Sequence, residues 1–165
     1  MFPRIVLRWF VRAIVLISAF PSLALGHDFK LGDLRIDHPY AILKVTPVAT
    51  AEIYFRSLRN EGVSIDRLLK ITTPVAQQAV IRTETHSVDH EITWVPIMSL
   101  EIPAKGKIPI RHDSTDGYQI LISEFVRPLR EGDRFPITLS FEYSGDKEVM
   151  VWVQTPRQRT STHKH

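Results

Sequence analysis

Between Leu100 and Gly145 the chain reads LEIPAKGKIPIRHDSTDGYQILISEFVRPLREGDRFPITLSFEYSG, and its apolar residues follow the period of a β-strand. Phe135, Ile137, Leu139, Phe141 and Tyr143 fall on every second position, which gives a strand with one face in a core and the other in water. Upstream, Gly117 to Ser123 is an apolar run bounded by Asp116-Gly117 and Arg127-Pro128, the pattern of a buried strand. Leu129 to Asp133 is the turn between the two.

The same signature runs through the rest of the chain. His38-Pro39-Tyr40 starts a strand, with the proline tolerated at its first position. Segments 51–58 and 65–72 flank Arg59-Asn60-Glu61-Gly62, a turn with Gly62 available for positive φ, and the pair predicts a hairpin. Leu68-Leu69 breaks strict alternation, so a short helix competes with a strand over 65–72. Val80–Glu84 and Ile92–Ile97, joined by residues 85–91, predict a second hairpin. Glu148 to Val153 is a further alternating strand. About eight or nine short strands, with no repeat and no marked helix, predict an all-β sandwich or Greek-key barrel.

Charge and composition narrow the function. Arg4, Arg8 and Arg12 accompany an apolar run from Ala13 to Phe20, and Ala24-Leu25-Gly26 is a small-x-small cleavage signature. Residues 1–26 therefore read as a secretory signal peptide cut after Gly26, which predicts a periplasmic protein without a membrane span after cleavage. An uncleaved anchor is disfavoured by the shortness of the run and by Pro21. The formal charge of +3 comes from 21 Lys+Arg against 18 Asp+Glu, and the leader holds three arginines and no acid. Past Gly26 the charges balance at 18 each, so nucleic-acid binding has no electrostatic motive. Residues 27–154 make one β-domain of ordinary size, and the polar stretch 155–165 reads as a disordered tail. There is no cysteine, hence no disulfide framework and no thiolate.

LEIPA-x-G at Leu100–Gly106, the Gly117-Tyr118 strand, and PL-x-EGD-x-FP-x-TL-x-FE at Pro128–Glu142 together resemble the PCu(A)C-type periplasmic copper chaperones. The likeness extends through Gly32-Asp33-Leu34, His38-Pro39-Tyr40-Ala41, Asn60-Glu61-Gly62, Asp66-Arg67-Leu68 and Pro74-Val75, nearly the whole chain past the leader. It implies a cupredoxin-like β fold and tips 65–72 to strand. It also implies Cu(I) delivery toward cytochrome oxidase assembly, with an assembly factor or another periplasmic or membrane protein as partner.

The resemblance also implies where copper should bind. The family motif is His, Met after about ten residues, then His-x-Met about twenty-one residues further on, a soft thioether and imidazole set suited to Cu(I). Aligned on Glu84-Thr85, the four positions carry Thr83, Trp94, Gln119 and Leu121, with three extra residues accommodated around His112 to Asp116. None is a soft donor. Past the leader only Met98 and Met150 remain, neither at His-x-Met spacing, and both read as packing residues.

Histidines offer a relocated site. His86 and His90 sit in the second hairpin's loop and His112 in the loop before the Gly117 strand, and the resemblance implies that these loops converge. Three imidazoles, with Asp89 or Asp113 adding an oxygen, would suit Cu(II) or Zn(II), whereas solvated loop histidines are the plainer reading. If cleavage falls after Gly26, His27 gains a free amino group and becomes a bidentate chelate for Cu(II); a frayed terminus is the alternative. His163 and His165 form only a non-specific His-x-His tail. No Gly-x-Ser-x-Gly elbow, phosphate loop or HExxH is present, so no enzyme is predicted. Two functions compete: copper handling through a diverged or relocated site, and a metal-free scaffold that binds a partner protein with Trp94 as an aromatic anchor.

Overall fold

The computed structural model describes residues 28–44, 48–86, 92–112 and 117–155. The leader, His27, His90 and the tail beyond Thr155 lie outside the described residues. Among the described residues there are eleven strands and no helix. They are β1 (Asp28–Leu31), β2 (Leu34–Lys44), β3 (Thr50–Asn60), β4 (Asp66–Thr72), β5 (Ala76–His86), β6 (Ile92–Pro96), β7 (Leu100–Ile102), β8 (Lys107–Ile110), β9 (Tyr118–Phe125), β10 (Arg134–Phe141) and β11 (Gly145–Val153).

The strands run in the order β6-β5-β9-β3-β2-β11-β10-β4-β7, with β1 added to β2 and β8 to β3. All pairings are antiparallel except β11 with β2, which are parallel through Trp152↔Tyr40 and Val153↔Ala41. The path doubles back, so that β7 at its end lies against β3 in its middle. Its apolar faces close on one core, which joins Ile81 of β5 and Ile53 of β3 to Leu68 of β4 and Leu139 of β10. Phe55 and Phe135 are fully buried there. Each bulky ring removed from water stabilises the fold by about 1.5–3 kcal/mol.

The strong alternations become strands as expected, including β9, β10, β11 and the β5–β6 hairpin with its register Arg82↔Pro96 to His86↔Ile92. Segment 65–72 is a strand from Asp66 onward. Two expectations are corrected. β3 and β4 do not form a hairpin: β3 pairs with β2, β8 and β9, and β4 with β10 and β7. The intervening turn is tied elsewhere, with Asn60 Nδ2 donating to the carbonyls of Ser64 (2.8 Å) and Ile102 (3.2 Å) and Glu61 N donating to Asp33 O (2.9 Å). It carries the chain between layers.

The second correction concerns β2, which starts at Leu34 and places Pro39 well inside. Proline has no N–H to donate. It is tolerated because β1 covers β2 only from Leu34 to Asp37 and β11 only at Tyr40 and Ala41, leaving a gap at residues 38–39. His38 in that gap has φ 45°, an uncommon conformation for a residue with a side chain.

Candidate functional site

Five adjacent strands place one polar row on the sheet face opposite Ile53, Ile120 and Ile81. Tyr40 of β2 is across from Tyr54 of β3, Ile53 is across from Ile120 of β9, and Gln119 of β9 is across from Arg82 of β5. Successive side chains alternate between faces. Ile53, Ile120 and Ile81 share one face, so Tyr54, Gln119 and Arg82 share the other, where Tyr54 and Gln119 are themselves buried. Glu84 of β5 is across from Trp94 of β6, which brings the indole to the same face.

These side chains form a continuous chain of contacts. The Arg82 guanidinium lies over the Trp94 ring, 5.8 Å from its centroid, and its Nη2 donates to the carbonyl oxygen of Gln119. Gln119 Nε2 donates to the Tyr54 hydroxyl (3.0 Å), which donates in turn to Glu52 Oε2 (3.0 Å). Lys44 Nζ stands 3.6 Å from the same carboxylate oxygen. Gln119 is only 2% exposed, so its amide needs the partners on both ends that it has.

Tyr40 stacks on Tyr54 at 5.5 Å, and His112 closes over both rings edge-on, with its Nδ1 2.9 Å from the Tyr40 hydroxyl. Burial pushes the Tyr54 hydroxyl well above the ordinary phenol range, against the Gln119 hydrogen bond and with help from Glu52. Burial pulls Arg82 down, opposed by Glu52 and Tyr54. Arg82 Nε is buried with no hydrogen-bond partner among the described residues.

Of the four positions aligned with the copper motif, Trp94, Gln119 and Leu121 share this face, Leu121 lying across from Val80 and Glu52. Thr83 is on the opposite face of β5, across from Tyr118 and Val95. The residue that meets Trp94 and Gln119 is Arg82, which the spacing argument passed over by one position. An indole, an amide and an isobutyl group around a guanidinium do not fit copper: no soft donor is present, and a cation already stands among them.

The histidines part company. His86 Nε2 pairs with Glu84 Oε1 at 2.9 Å and lines a cleft with Thr83, Ile108, Gly117 and Tyr118. His112 lines a different cleft with His38 and Tyr40. His27, His90, Asp89 and Asp113 lie outside the described residues. Met98, expected to pack, is 92% exposed, and Met150 is a half-exposed sheet residue on β11. The sequence reading missed one cluster: Asp28, Asp37 and His38 bring three ligand atoms within 4.8 Å of one another. Asp37 and His38 are neighbours in the chain, but Asp28 joins them only through the β1–β2 register Asp28↔Asp37.

The strand order defines an all-β, cupredoxin-like fold that PCuAC domains share. Solved structures with this fold include the apo PCuAC domain from PmoF1, at 22% identity and TM-score 0.64 over 79% of this chain and all of that one. The copper-bound PCuAC domain from PmoF2 is 17% identical, with TM-score 0.63 over 79% of this chain and 99% of that one. Apo-DR1885 from Deinococcus radiodurans is 21% identical, with TM-score 0.52 over 85% and 91%. The chain itself belongs to the LpqE-like family, whose model, described as "Putative lipoprotein LpqE-like", matches residues 34–153. No curated protein matches it in sequence. Among the described residues no helix is long and apolar enough to cross a membrane.

Proposed function

We propose that this chain is an exported, non-enzymatic domain of copper-chaperone type that holds no copper at the family position and serves there as a scaffold for a partner protein. The observation that carries this reading is the Arg82 guanidinium, seated between Trp94 and Gln119, two of the positions that the resemblance aligns with soft ligands. Export is supported by the leader-like residues 1–26 and by the family's lipoprotein description, although the 165 residues include no cysteine to bear a lipid. A partner on the oxidase-assembly side, or another periplasmic or membrane protein, follows from the resemblance to copper chaperones. Half-buried Trp94 on edge strand β6 is the aromatic such a partner would contact.

The test is an anaerobic Cu(I) titration against a competing chelator. No stoichiometric binding is expected, and one tightly held Cu(I) per chain that vanishes in Gln119→Ala would overturn the reading. Partner capture with wild type and Trp94→Ala tests the scaffold role, where equal recovery of the same partners counts against it.

One observation favours copper handling through a relocated site instead: the Asp28–Asp37–His38 cluster supplies two carboxylates and an imidazole, donors for Cu(II) or Zn(II). The Arg56 guanidinium 3.8 Å from Asp37 works against a cation there. A Cu(II) titration of wild type and Asp37→Asn decides it.

A further inference from the structure

Beside His112 the surface opens into a cleft of about 510 Å³, lined among others by His38, Tyr40, Arg56, Arg111, His112 and Thr155. None of its described lining residues is acidic. A cleft of several hundred Å³ has the capacity of a small-molecule site. Two backbone irregularities aim the basic groups into it. Arg56 lies in the break of register between Phe55 and Leu58, where β8 joins β3, and His38 sits at φ 45° in the gap along β2. Such bulges re-aim side chains, and a strained residue persists only where its surroundings hold it.

Tyr40 fixes one wall, since its hydroxyl meets both Nδ1 of His112 (2.9 Å) and the His112 backbone N–H (3.4 Å). Ile42 and the Tyr40 ring add an apolar surface beside the charges. Asp37 stands 2.6 Å from His38 Nδ1 but 3.8 Å from Arg56 Nε, beyond hydrogen-bond distance, so it holds the imidazole more firmly than the guanidinium.

We propose that this cleft binds a small oxyanion, a carboxylate or phosphate group, read by Arg56 and Arg111 and packed by any attached body against Tyr40 and Ile42. The planar guanidinium matches both oxyanions through paired N–H donors. This cleft adjoins the far end of the Arg82 row through Tyr40 and His112, and it needs no copper at the family position.

The test titrates the full chain at low salt with inorganic phosphate, benzoate and phenyl phosphate, followed by amide chemical shifts and calorimetry. The expected result is saturable binding at one site, with a Kd on the order of 1 mM or tighter. Shifts should centre on residues 38–42, 56, 111–112 and 154–155. Arg56→Glu should weaken binding at least tenfold, and Arg56→Gln should weaken it less. Arg56 is largely exposed, so both variants should keep the wild-type melting temperature. Arg130→Glu, an exposed charge change in the β9–β10 turn, should leave affinity unchanged. Equal affinity for inorganic phosphate and phenyl phosphate supports the site with free phosphate as its source, and a preference for the ring-bearing probes supports it with an organic acid. Absence of saturation with all three probes, or equal weakening by Arg56→Glu and Arg130→Glu, overturns the proposal.

Discussion

Arg82 is the residue on which the site turns. It stacks on Trp94 and donates to Gln119, whose amide leads on to Tyr54 and Glu52. Arg82→Met keeps the aliphatic stem but strands the buried Gln119 carbonyl. The expected loss is about 1–3 kcal/mol in denaturant unfolding, the cost of one buried acceptor left without a partner. Because the groups act as one network, Arg82→Met with Gln119→Leu should cost less than the two single losses added together.

Asp66 makes a second residue-scale case, away from this face. It is 4% exposed, and its carboxylate accepts from the backbone N–H groups of Arg67 (2.7 Å), Tyr143 (3.1 Å) and Ser144 (3.1 Å). Burial alone would raise its pKa, but the Ser144 side chain and these N–H donors outweigh burial and hold it below the ordinary value. The stabilisation is present above the unfolded carboxylate value of about 3.9 and is lost as pH falls through the lower folded value. Asp66→Asn should destabilise at pH 7 and flatten the decline of stability below about pH 4, read from melts across pH. At this scale the sequence told what the copper positions lack, but not what fills them. Residues 82 and 83 differ by one place in the chain and by a whole face in the sheet, and only the register with Gln119 says which one matters.

At the scale of elements, the polar row depends on β5 and β9 staying in register where β9 begins. Gly117 N-terminal to β9 packs so tightly on β5 that a Cβ placed there would lie 2.3 Å from Glu84 Cβ, and Glu84 N donates to Gly117 O at 2.7 Å. Gly117→Ala must therefore push the strands apart next to Arg82 and Gln119. We expect a loss of about 1–3 kcal/mol, seen as a lower denaturant midpoint with an unchanged slope. Long alternating elements such as β10 and β11 were legible because their period is carried by many residues. β1, β7 and β8, of four, three and four residues, are too short to show one. The supposed β3–β4 hairpin failed for a different reason. Its Asn60–Gly62 turn looks local, yet Asn60 bonds to Ile102, forty-two positions away, and the pairing follows that long-range tie.

For the molecule as a whole, sequence has drifted to 17–22% identity from the PCuAC domains while the fold has stayed. If a fold kept at such low identity can carry different outer faces, fold and metal chemistry are separable, and a graft tests that. Arg82, Trp94, Gln119 and Leu121 share one face of β5, β6 and β9, so Arg82→His, Trp94→Met, Gln119→His and Leu121→Met together put two imidazoles and two thioethers on that face. The graft also removes the resident cation that would repel Cu(I). None of the four belongs to the hydrophobic core, so the fourfold variant should stay folded at the cost of the buried Gln119 network, and it should bind one Cu(I) per chain in a chelator competition. A companion variant with Thr83→His in place of Arg82→His should bind at least tenfold more weakly, since residue 83 points to the other side of β5 and the guanidinium stays in place. Equal affinity in the two variants would mean that the face assignment of β5, and with it the displacement of copper by Arg82, is mistaken.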